Sequence, residues 1–260
     1  MVTKVFQSLT EAVDFARANA KWHEDNRPDW AGGTWETVEE LALQGWPKGI
    51  AQAKDLAERI ATRTLNAPSV TIEQDVLAYD VCGGAYDVGA YSAGVPECWA
   101  RHDVQASKKG IRIVLDCDVS CLISHETITR RGIATAALAI ALQARGYPVT
   151  LDVTDVSDGH SHAFVRVANA ATGSPLDLDR IVYACAHPTM LRIVFSRIVG
   201  ALDQNKHSWG SCSPFRDVAD EARLNGPFDL YIGAANVLDA KRWQDGGEAW
   251  VLAEYLRQTS

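Results

Sequence analysis

The chain has 260 residues, 47% apolar and 22% charged, with a formal net charge of −8. That composition suits a full hydrophobic core and does not suit a disordered segment. The acidic balance removes the sequence-independent attraction of basic proteins to phosphate backbones, so nucleic acid is not an expected partner.

No apolar run reaches the roughly 18 residues of a membrane span. The first residues place Glu11 and Asp14 among apolar positions, unlike a signal peptide. A cytoplasmic protein is therefore expected. Cysteines 117, 121 and 185 lie in apolar stretches and read as small buried hydrophobes.

Ser8-Leu-Thr-Glu11 reads as a capping box before a helix over about 9–21. Pro28, Gly32 and Gly33 mark a loop. Thr34 caps a second helix that Gly45 ends, and Pro47 opens a third with Ile50, Ala53, Leu56 and Ile60 on one face. Residues 1–65 thus form a helical region rich in tryptophan (Trp22, Trp30, Trp35, Trp46), and these rings pin loops to the body or line a ligand platform. Residues 66–106 read as extended chain around 70–72 and 76–79, then a Gly/Tyr-rich loop, the whole packing on the sheet.

Residues 107–260 carry the clearest pattern. Ile111–Leu115 is a strand, Arg131–Arg145 a nearly all-apolar helix stopped by Gly146, and Pro148–Val153 a second strand. So apolar a helix between two strands is a crossover covering a parallel sheet. The turn at Ser157-Asp-Gly159 is short, so the strand Ser161–Ala168 runs antiparallel to its predecessor. A long helix over Arg180–Leu202, bent at Pro188, a strand at Phe228–Gly233 and a helix at Glu248–Gln258 complete the series.

Chemistry concentrates where the first of these strands ends, Asp116-Cys-Asp118-Val-Ser120. Ligands of open α/β sheets sit beyond the carboxyl ends of strands. Asp116, Asp118 and Ser120 supply hard oxygen donors of the kind magnesium or manganese takes. Alternatively the two aspartates cap the next helix, whose start falls near Ser124 and Thr127. His160 and His162 alternate on a strand and can bind zinc, with Asp177 and Asp179 following. Arg130 and Arg131 lie near a helix start, where positive charge is disfavoured, which suggests an anion site.

The order of elements and the Asp-x-Asp-x-Ser strand end resemble a von Willebrand factor A domain over residues 108–258. That resemblance implies a Rossmann-like, mostly parallel α/β sheet flanked by helices. It also implies a metal-binding loop face, with Asp116 and Ser120 matching the family's motif and Asp118 departing from it. The whole chain, with its Trp30–Trp35 and Tyr79–Gly84 segments, resembles an uncharacterised family of bacteriophage proteins, which implies a viral or prophage origin. The expected function is protein binding or assembly, with a protein partner or a second copy. The alternative is a metal-dependent hydrolase or nucleotide-processing enzyme using Asp116, Asp118, His160 and His162.

Overall fold

Alternating apolar residues make the strands of the larger sheet, and the described helices pack on one of its faces. The computed structural model describes residues 2–20, 27–62, 71–80, 85–96, 98–108, 110–117, 119, 123–157, 161–169, 177–202, 227–233 and 251. In chain order the elements are β1 (Val2–Phe6), α1 (Leu9–Ala18), α2 (Pro28–Ala31), α3 (Trp35–Gln44), α4 (Pro47–Thr62), β2 (Thr71–Asp80), β3 (Ala85–Tyr86), α5 (Val88–Ser92), β4 (Trp99–Lys108), β5 (Ile111–Asp116), α6 (His125–Ala144), β6 (Val149–Ser157), β7 (Ser161–Ala168), α7 (Leu178–Ala186), a π-helical turn (Met190–Phe195), α8 (Ser196–Leu202) and β8 (Leu230–Ile232). Two compact units result, one of Met1–Ala67 with Gly110–Ser260, the other of Pro68–Lys109.

The larger unit is α/β. Its five strands run in the order β1-β7-β6-β5-β8. β5 pairs in parallel with β6 and β8, and β1 with β7; β6 and β7 alone are antiparallel, as the short connection between them requires. Ile113, Leu115, Leu151, Val153, Val165 and Ile232 point to one face and join a single core with α1, α3, α4, α6 and α7. The N-terminal helices and the C-terminal sheet therefore share one interior. On the other face Val114, Phe164 and Tyr231 form a small separate cluster.

Local chemistry sets the helix ends. The Ser8 hydroxyl accepts from the Glu11 amide at 3.2 Å, and the Glu11 carboxylate reaches back to the Gln7 amide at 2.8 Å. Gly45 ends α3 at φ 79°, a left-handed conformation that L side chains avoid. Ser124, not Asp116, caps α6. The helix therefore starts six residues before Arg131. It is apolar almost all round because it lies between the sheet, α4 and α7. At its crossing with α7 a Cβ on Gly132 would meet the Cys185 carbonyl oxygen at 2.0 Å, so only glycine allows the approach. The expected helix over 180–202 is divided. α7 ends before Pro188, whose ring cannot continue the hydrogen-bond ladder, and a π-helical turn precedes α8. The expected closing helix at 248–258 lies outside the described residues except Val251. Among the described residues no helix is long and apolar enough to cross a membrane.

The smaller unit is a three-stranded sheet of order β2-β4-β3. β2 and β4 pair antiparallel along all ten residues, from Thr71↔Lys108 to Asp80↔Trp99. At a rise of about 3.4 Å per residue this ribbon spans about 30 Å. The chain enters and leaves the unit beside Thr71 and Lys108. β3 pairs with β4 at the far end, Tyr86 opposite Trp99, and α5 follows it there.

Candidate functional site

The carboxyl end of β5 is the switch point of the larger sheet. α6 carries the chain from β5 to β6 on one side, and β8 is added on the other, so the ends of β5 and β8 flank the place where α/β sheets bind ligands. Asp116 closes β5 and is fully buried. Its Oδ2 accepts a hydrogen bond from the Tyr231 hydroxyl at 2.8 Å. Arg131 comes from the second turn of α6 and is also buried. Its guanidinium donates to the carbonyls of Asp116, Ile232 (3.0 Å) and Gly233, tying the end of β5 to the end of β8. Cys117 follows in the chain. Burial pushes its thiol well above the ordinary range despite the nearby Arg131 charge. Burial likewise pushes the Cys185 thiol up to about 12. Neither sulfur is a thiolate at neutral pH, so neither is an activated nucleophile.

Of the other residues singled out in the sequence, Asp118, Ser120 and His160 lie outside the described residues. His162 is buried on β7. By strand alternation it shares the second face of the sheet with Phe164 and Asp116. β6 lies between β7 and β5, and His162 is opposite Val156, two residues beyond the Thr154 that pairs with Asp116. With strands about 4.8 Å apart and a rise of about 3.3 Å per residue, the Cα atoms of His162 and Asp116 are about 12 Å apart. Asp177 and Asp179 sit at the start of α7, in the helical layer on the opposite side of the sheet. Asp177 accepts from the Arg180 amide at 3.3 Å and pairs with the Arg180 side chain at 3.0 Å. Asp179 lies against Gly45. Arg130 is exposed and pairs with Glu126 at 2.5 Å, the neighbour one helical turn away. Among the described residues no three His, Cys, Asp or Glu side chains gather closely enough to hold a metal ion.

Two polar constellations were not anticipated. On the second face of the sheet the buried Asp152 of β6 takes Arg166 of β7 at 2.9 Å and Arg112 of β5 at 2.5 Å. The Asp152 hydrogen bond raises the Arg166 pKa further. The available signal was a charged residue within each of three largely apolar strands, Arg112, Asp152 and Arg166.

The second constellation holds Trp30, Trp35 and Trp46, while Trp22 lies outside the described residues. The Trp30 carbonyl accepts from His125 at 2.6 Å and from Arg192 of the π-helical turn. Arg192 also lies over the Trp30 ring at 4.6 Å, and Arg197 lies over Trp35 at 4.0 Å. Trp46 meets the His187 ring edge-on, with centroids 4.9 Å apart. The Thr189 amide donates to His187 Nδ1 at 3.3 Å, so that nitrogen carries a lone pair and the ring is neutral. Burial, then the neighbouring His125, brings the His187 pKa down to about 4. These contacts fasten the α2–α4 segment to α6 and the π-helical turn.

The molecule is thus an α/β protein with a mostly parallel, five-stranded sheet flanked by helices and a β-ribbon unit inserted between α4 and β5. It belongs to the family described as a domain of unknown function, DUF7192, whose model matches residues 1–257. No curated protein and no solved structure matches it.

Proposed function

We propose that this chain is a protein-binding or assembly module, of bacteriophage origin, that makes contact through the tip of its β ribbon. The observation that carries the reading is the exposure of Val88, Tyr91, Val95 and Trp99, at 67, 61, 42 and 36%. Among the described side chains only Leu43 is another large hydrophobe as open to solvent. Concentrated apolar exposure marks interaction sites, and tyrosine and tryptophan commonly dominate binding energy there. The four residues stand at the far end of the ribbon from the points where the chain enters and leaves it.

The von Willebrand factor A-like reading adds a second contact surface at the carboxyl edge of β5, with magnesium or manganese on Asp116, Asp118 and Ser120. Asp116 is the one described member, and the Tyr231 hydroxyl already takes one of its oxygens. No step is routed through an ion. Turnover is not part of the proposal. The described thiols are held protonated.

The test is in-cell cross-linking with wild-type chain and with Val88→Ser/Tyr91→Ser, circular dichroism confirming that both are folded. A cross-linked partner or oligomer that the double variant loses supports the reading. Identical cross-linking patterns for the two proteins sink it.

A further inference from the structure

We infer that residues 28–46, which hold α2, α3 and Trp46, form a strap over two buried arginines, and that protonation of His187 releases it. Of the apolar side chains in this segment only Ala31 and Val38 are buried, and its three tryptophans and Leu41 are partly so. The helices on either side are seated more firmly: α1 buries Leu9 and Val13 among others, and α4 buries Leu56 and Ile60. A segment with few buried contacts opens at a lower cost than its neighbours. What holds this one is largely polar and aromatic. Its Trp30 ring lies against Arg192 at 4.6 Å and its Trp35 ring against Arg197 at 4.0 Å, and both arginines are buried.

Two histidines of the helical layer fasten the strap. His125, in the first turn of α6, donates from Nε2 to the Trp30 carbonyl at 2.6 Å, and Arg192 donates to the same oxygen. His187, at the end of α7, meets Trp46 edge-on at 4.9 Å and stacks on Tyr183 at 5.8 Å. Its Nδ1 faces the Thr189 amide at 3.3 Å and the Thr189 hydroxyl at 2.8 Å, so a proton placed there opposes the amide N–H. Among the described residues, the groups about the ring are His125 from α6, the Tyr183 phenol from α7 and the uncharged Trp46 from the strap, with Arg192 of the π-helical turn one contact further out on Trp30. None is an anion, since burial pushes the Tyr183 phenol up. The α7 carboxylates Asp177 and Asp179 stand at the opposite end of that helix, Asp177 in its pair with Arg180. Burial and His125 both act against charge on the ring. A proton there therefore favours the form in which Trp46 has left and water reaches His187.

The ring's pKa is about 4 in the closed form against 6.5 for the free side chain, so opening becomes easier as the pH falls from about 6.5 toward 4. At pH 5 the open form should be about thirtyfold more populated than at pH 7.5. Once detached, the ten-residue α3 is too short to keep its own hydrogen bonds, so its amides report the opening. Hydrogen–deuterium exchange of the full chain, read on peptides by mass spectrometry and divided by the intrinsic rate at each pH, gives their protection. At pH 7.5 the amides of α3 should be less protected than those of β5 and β6, at a level that low urea does not change. At pH 5 their protection should fall about thirtyfold. His187→Asn keeps an acceptor for the Thr189 amide and should remove that fall. Protection of α3 equal to that of β6 at both pH values overturns the strap, because the segment then opens only with the whole fold. A fall of the same size in His187→Asn overturns His187 as the trigger. So does a His187 ring that titrates near 6.5 in the folded wild-type chain by nuclear magnetic resonance, a measurement that needs no variant.

Discussion

His187 should make the protein lose stability in mild acid, and the size of the loss follows from its surroundings. Its Nδ1 accepts from the Thr189 amide, its ring packs on Trp46, and its pKa lies at about 4 against 6.5 for the free side chain. The folded-state pKa is lowered, so between these values the unfolded chain binds the proton and the folded one does not. Stability is then complete above about pH 6.5 and is lost as the pH falls toward 4. At about 1.4 kcal/mol per pKa unit the full loss is about 3 kcal/mol, with about 2.5 kcal/mol of it gone at pH 4.5. His187→Asn keeps an acceptor for the Thr189 amide and removes the titration. Urea unfolding of both proteins at pH 7.5 and pH 4.5 gives two stability gaps. The variant should be the weaker at pH 7.5, having lost ring packing. By pH 4.5 the gap should close by about 2.5 kcal/mol in the variant's favour. A gap that stays constant refutes the assignment of the lone pair to Nδ1 and of the acid sensitivity to this ring.

The other predictions concern the joints of the larger unit. Gly132→Ala should destabilise by about 3 kcal/mol in urea unfolding, although glycine to alanine within a helix normally stabilises by about 1 kcal/mol, because the new methyl group meets the Cys185 carbonyl. An unchanged or raised midpoint contradicts the close crossing of α6 and α7. Arg131→Met should cost about 3–5 kcal/mol by leaving the strand-end carbonyls without their donor, measured the same way. Cys117 and Cys185 should resist an alkylating reagent at pH 8 in the native protein and react once urea is added, read by mass spectrometry.

The main strands of the sheet could be read from the chain because period-two alternation and short connections act locally. Ser161–Ala168 falls where its alternation places it and runs antiparallel as its turn demands. β1 was not legible, since five residues around Lys4 give too brief a pattern to separate from a helix entry. Apolar content alone starts α6 at Arg131, whereas the Ser124 and Thr127 pair marks a start one to two turns earlier, and the structure follows the latter. That displacement put Arg131 at a helix terminus, where an anion site looked reasonable. One turn further in, its guanidinium reaches strand carbonyls instead, a long-range contact that spacing along the chain does not encode. The Asp152 triad and the His187 surroundings share that character, because each joins elements distant in sequence.

β1 sets the order in which the molecule can be assembled. Val2 pairs with Ser161 and Phe6 with Val165, so the strand made earliest waits for one made about 160 residues later. At about 5–20 residues per second on the ribosome the delay is about 8–30 s. The long loop closure also makes this contact a late one in refolding. Until then β7 is the open margin of the sheet, a template for unintended strand pairing.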